Sequence, residues 1–198
     1  MTEPIASRST RSDLWATLTV GAIAAVYVLV TLVFRLVEIF GGGDIAVPVR
    51  FAPTHVAIDA ASTATVSVDE GVVRVSQLPV GTFVSVLLAA IVPAVASLIV
   101  IGCAMIVFRR ALRGNPFAPG TATLLTISAF TILGGWMASG LFDTMASNGA
   151  LAIAVPDNDI MAAFQISWLP FLAALAVAAL AVLIRSGEKM RADTDGLV

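Results

Sequence analysis

Four stretches of this chain are long, apolar and nearly free of charge, and no other feature constrains the fold as strongly. They cover about residues 14–40, 82–108, 121–142 and 162–184. The last three contain no Asp, Glu, Lys or Arg, and the first contains none from Trp15 to Phe34. A helix needs about 20 mostly apolar residues to cross a hydrocarbon core of about 30 Å. Composition agrees: 59% of the 198 residues are hydrophobic and 12% are charged, about half the charged share of a soluble domain. The expected class is membrane all-α. The chain reads as one membrane domain over 1–198, a four-transmembrane-helix bundle with a small β-rich extracytoplasmic segment between helices 1 and 2. The first apolar run exceeds the ~7–15 residues of a signal-peptide core, so an uncleaved first helix is expected.

The positions of Lys and Arg orient the spans, because these residues accumulate in cytoplasmic loops. Arg8 and Arg11 precede the first span, and Arg109, Arg110 and Arg113 separate the second from the third. Arg185, Lys189 and Arg191 follow the fourth. The other side carries Arg50 and Arg74 among a larger set of acids, including Asp44, Asp59, Asp69 and Glu70. The expected placement is a multi-pass protein of the cell membrane with both ends cytoplasmic. A net charge of -2 gives no ground for nucleic-acid binding.

Residues 44–80 switch to a period of two. Thr65–Ser76 alternates so that a two-residue turn at Glu70-Gly71 sets Val68 opposite Val73 and Val66 opposite Val75, with those valines on one face. The expectation is a hairpin, with Val47–Ile58 as a third, edge strand because of Pro48 and Pro53. The segment is either a structured cover over the helix ends or a cap that binds a ligand or partner. The second outer loop, 143–161, contains Asn148-Gly149 and Pro156-Asp157-Asn158-Asp159, both turn chemistry. Its acids Asp143, Asp157 and Asp159 form a candidate acidic site. They are read as solvated acids and a helix cap, or as calcium ligands, although D-x-D alone falls short of a calcium loop.

Arg35 and Glu38 are the ionisable pair within a span, three residues apart and so on one helix face. They are read as a structural pair or anchor, or as part of a polar path. The third helix carries Thr126, Ser128, Thr131 and Ser139, and small residues recur at four-residue spacing, as in Gly21 with Ala25 and Gly135 with Ser139. Such residues let helices approach closely. Pro93 and Pro170 are expected to kink the second and fourth helices. With one cysteine, Cys103, and one histidine, His55, no intramolecular disulfide and no cysteine or two-histidine metal site is expected. No cofactor, metal or catalytic group is assigned.

The loop between the second and third helices reads R-R-A-L-R-G-N-P-F-A-P-G from Arg109 to Gly120. Its arginines attract anionic lipid. Gly114-Asn115-Pro116 makes a tight turn, and Phe117 is expected to anchor at the interface. The candidate lipid or partner loop is thus Arg109, Arg110, Arg113, Asn115 and Phe117. The Gly114-Asn115-Pro116-Phe117 motif, with four helices and a long first outer loop, resembles the bacterial membrane family catalogued as domain of unknown function 2975. In this chain Ala118-Pro119-Gly120-Thr121 follow the motif, where the family carries Asn and basic residues. The resemblance implies no reaction and a possible regulatory role.

The sequence is therefore read as a non-enzymatic membrane scaffold or regulatory partner, in contact with the bilayer, with anionic lipid and with a membrane or cytoplasmic protein. The alternative is a small oligomeric transporter or channel subunit. Reporter fusions at residues 60 and 115 test the orientation. The expected result is an outside signal at 60 and an inside signal at 115, and the reverse at 115 rejects it.

Overall fold

The computed structural model describes residues 8–50, 55–56, 66–67, 70–155, 162–164 and 167–195. Four helices dominate: α1 (Arg8–Phe40), α2 (Val80–Leu112), α3 (Thr121–Ala154) and α4 (Trp168–Asp195). All four are long and apolar enough to cross a membrane, which marks a multi-pass membrane protein and is compatible with a four-helix bundle. Four short strands lie between α1 and α2: β1 (Ile45–Arg50), β2 (His55–Val56), β3 (Val66–Ser67) and β4 (Glu70–Val75).

The chain divides into two compact units. One comprises 1–31, 94–136 and 167–198, and the other 32–93 and 137–166. In α2 the division falls at Pro93.

In the first unit, α2 ends in a Schellman motif. Gly114, at φ 73°, donates to the Ala111 carbonyl, and Asn115 N–H reaches back to Arg110. These bonds satisfy carbonyls that the helix end would otherwise leave open. The Arg110 side chain donates to the Pro119 carbonyl (3.2 Å) and to Thr121 Oγ1 (3.0 Å), so the turn is braced from within. α4 closes against it. The Glu188 carboxylate accepts the Ala122 N–H of α3 at 2.9 Å, one of the donors a helix start cannot bond internally. A Cβ on Gly187 would lie 2.6 Å from the Phe117 ring. Phe117 therefore packs on α4 and is not purely an interfacial anchor. Helix approach also depends on small residues: a Cβ on Gly135 would fall 2.6 Å from that of Ala96. Pro170 occupies the first turn of α4, where its missing N–H interrupts no helical bond, so the expected kink is not built. Thr126 and Ser128 hydroxyls donate to carbonyls of their own helix, and Thr126 Oγ1 also accepts from the Arg185 guanidinium of α4 at 3.5 Å.

In the second unit, Gly41 to Gly43 stop α1, with Gly42 at φ 72°, and β1 starts at Ile45. β1 pairs antiparallel with β4, from Ile45 opposite Val75 to Arg50 opposite Glu70. β2 pairs with β3, His55 opposite Ser67. The expected hairpin about Glu70-Gly71 is not formed, since Gly71 pairs with Val49 and Val73 with Val47. Burial decides the register. Val47 and Val49 are 2% and 0% exposed in this pairing, and each buried valine contributes roughly 1.5–3 kcal/mol. With Ile39, Ile45, Val75, Val86, Ala146, Ala150 and Leu151 they form one core.

α3 continues to Ala154 instead of ending near 142. At 34 residues it runs about 51 Å, well beyond a ~30 Å hydrocarbon core. Asn148-Gly149 is therefore helical and not a turn. A Cβ on Gly149 would collide with Thr82 of α2, so packing and not turn geometry explains the glycine. α4 starts at Trp168, later than the expected 162, because Ala162 and Ala163 are used against other elements, as described below.

Adjacent glycines give a sharp test. A Cβ on Gly134 would meet nothing within 4 Å, whereas one on Gly135 would run into Ala96. Gly134→Ala is expected to leave thermal stability in detergent unchanged or slightly raised. Gly135→Ala is expected to lower it by about 1–3 kcal/mol, and Ala96→Gly in the same chain should recover most of the loss.

Candidate functional site

Alternate residues of a paired antiparallel strand turn their N–H and C=O groups away from the partner strand. On β1 these are Ala46, Pro48 and Arg50, and all three find partners outside the sheet. Arg35 Nη2 donates to the Ala46 carbonyl at 2.7 Å, and Ala46 N–H makes a long 3.4 Å contact with Glu38 Oε1. Arg35 and Glu38 are themselves joined at 2.6 Å. The hydroxyl of Ser147 donates to the Pro48 carbonyl at 3.0 Å. Ala163 N–H donates to the Arg50 carbonyl at 2.9 Å. Pro48 fits because an outward-turned position has no ladder donor to lose. Asn148 Oδ1 accepts the Ala162 N–H at 2.8 Å, which holds the strap that carries Ala163.

Arg35 and Glu38 thus share one helix face, as their spacing predicts, and their target is the backbone of β1. Their spacing could not reveal that target, which lies 11 residues from Arg35.

Between the sheet and α3 is a cleft of about 340 Å³, lined by Pro48, Val49, Arg50, Glu70, Gly71 and Val72 on one side. Gly140, Asp143, Thr144 and Ser147 line it from α3, with Ala163. The helix positions are spaced three and four apart, so they form one stripe. A Cβ on Gly140 would meet the Phe164 ring at 2.8 Å, which brings that segment close to α3. Arg50 Nε donates to Glu70 Oε1 at 2.8 Å, and both side chains are more than half exposed. Such a pair contributes at most about 1 kcal/mol. The charged groups of the cleft are therefore Arg50, Glu70 and Asp143.

Of the three acids expected in the second outer loop, Asp143 lies on α3 and lines this cleft. Asp157 and Asp159 lie outside the described residues. Among the described residues no three His, Cys, Asp or Glu side chains come together. Arg50, Glu70 and Ser147 were not singled out as site residues in the sequence. Only the stripe Gly140, Asp143, Thr144, Ser147 carries a readable signal, and the turn-like Asn148-Gly149 masks it. Of the candidate loop residues, Arg110 is tied to the turn, whereas Arg109 and Arg113 are exposed. No family model, curated protein or solved structure matches the chain.

The fastening of β1 is testable by amide exchange. Arg35→Ala removes the donor to Ala46 and leaves Glu38 without its cation. A hydrogen bond to a charged group is worth about 1.5–3 kcal/mol, so exchange of the β1 and β4 amides should rise about 10- to 100-fold. Exchange in the α2–α3 turn should not change.

Proposed function

We propose that this protein is a non-enzymatic membrane scaffold that presents a small extracytoplasmic sheet to a protein partner, with both ends of the chain in the cytoplasm of a bacterial cell. The observation that carries the reading is the threefold fastening of β1 at Ala46, Pro48 and Arg50. A two-stranded sheet is marginal by itself. Holding it from several helix-borne groups gives a fixed surface in place of a loop that shifts with solvent.

The exposed side of that sheet has a mixed character. Val72 is 63% exposed, and Glu70 and Arg74 flank it on the same face. An apolar centre ringed by charges of both signs suits a protein contact. The adjoining cleft, with one arginine and two acids, adds shape and polarity at the edge of that surface. The cytoplasmic placement of both ends is supported by the bias of Lys and Arg toward the chain ends and the α2–α3 turn. The resemblance of the Gly114-Asn115-Pro116-Phe117 turn to a motif of domain of unknown function 2975 is in keeping with a regulatory role.

Site-specific photocrosslinking tests this reading. A benzophenone side chain at Val72, in protein expressed at native level, is expected to give a discrete protein adduct. The adduct should disappear in Arg35→Ala and be absent when the probe stands at Val20 on α1. An unmodified band at Val72 rejects the platform.

A further inference from the structure

We infer that the groove between α1 and α2 is a binding site for one anionic phospholipid, with its phosphate held by Arg109 and Arg113. The helices touch at Gly21, where a Cβ would lie 3.3 Å from Met105. Toward the α1 start a groove of about 820 Å³ opens, lined by Trp15, Leu18, Gly102, Met105, Ile106, Arg109, Leu112 and Arg113. The six α2 residues recur at three- and four-residue intervals, so they form one face.

The groove is chemically graded along its length. Gly102, Met105, Ile106 and Leu18 make an apolar trough suited to acyl chains. Arg109 and Arg113, one turn apart, stand at the end nearer the α2–α3 turn. Among the described residues neither side chain has an ion pair or hydrogen bond, in contrast to Arg110, which the turn consumes. Trp15, 60% exposed, lies on the same groove, and tryptophan is enriched where hydrocarbon meets headgroups. Two unneutralised guanidiniums next to a trough select an occupant that is anionic at one end and apolar at the other. A free phosphate would leave the trough empty, and a zwitterionic lipid would bring its own cation to the arginines. The groove belongs to the first unit, so the lipid site holds whether or not the sheet is a platform.

Native mass spectrometry of the full chain, delipidated in detergent, tests it. The probes are phosphatidylglycerol, phosphatidylcholine and glycerol 3-phosphate. Wild-type protein is expected to bind phosphatidylglycerol at least tenfold more tightly than either of the others. Each arginine near a membrane surface is worth about fivefold, so Arg109→Gln with Arg113→Gln should weaken phosphatidylglycerol roughly 25-fold and leave phosphatidylcholine unchanged. Gly102→Leu fills the trough without touching the charges. Its Cβ meets nothing within 4 Å, so the fold should tolerate it while both lipids bind more weakly. Lys189→Gln, a basic change outside the groove, should have no effect. Equal binding of the two lipids by wild type overturns the site. So does glycerol 3-phosphate binding as tightly as the intact lipid, or Lys189→Gln lowering affinity as much as the double variant. The two wild-type comparisons need no variant to fold.

Discussion

A strand that leaves a membrane helix has one edge to pair with its neighbour strand and one edge with nothing to bond. In water the second edge is satisfied by solvent. Against a packed helix it must find protein partners or lose the bonds it had. In this protein the open edge of β1 meets a guanidinium, a hydroxyl and a backbone N–H at successive outward positions. Much of the second unit follows from that need. α1 must end close to Ala46 so that Arg35 can reach it. α3 must run past Asp143 so that Ser147 comes level with Pro48. Ala163 must stay outside α4 so that its N–H can reach the Arg50 carbonyl.

The same requirement explains which parts of the fold were readable from sequence. Four long helices were legible because apolar length and absence of charge are local properties of each segment. The Arg35–Glu38 pair was legible from spacing, and the close approach at Gly135 from its size. The failures share a cause. The Glu70-Gly71 hairpin was self-consistent within a dozen residues, yet Ile45–Arg50 offered β4 a partner that buries Val47 and Val49 more completely. Asn148-Gly149 has the composition of a turn, yet its helix is kept by Ala146, Ala150 and Leu151 on the core side and by the tight fit of Gly149 on Thr82. In both places a non-local contact outweighed a local preference, and a single sequence displays only the latter.

Polar groups in the helices mostly serve the backbone. Arg110 braces a turn, Glu188 completes a helix start, Asn148 holds a strap, and the hydroxyls of Thr126, Ser128 and Thr144 bond carbonyls one turn back. Each would be a candidate for chemistry if judged by residue type alone. Their geometry assigns them to holding the chain where strands and turns must be kept in register. Among the side chains without such duties, Arg109 and Arg113 in one unit and Arg50, Glu70 and Asp143 in the other stand at grooves.

The Glu188 contact bears on the order in which the protein can be made. The first turn of α3 emerges during synthesis with an open amide at Ala122, and the carboxylate that accepts it is encoded 66 residues later. Until α4 has been made and has docked, that turn must borrow other partners for its bonding. The fourth helix thus acts as a closing clasp, and the first unit is complete only when α4 has docked against α3, whatever the order in which the earlier helices formed.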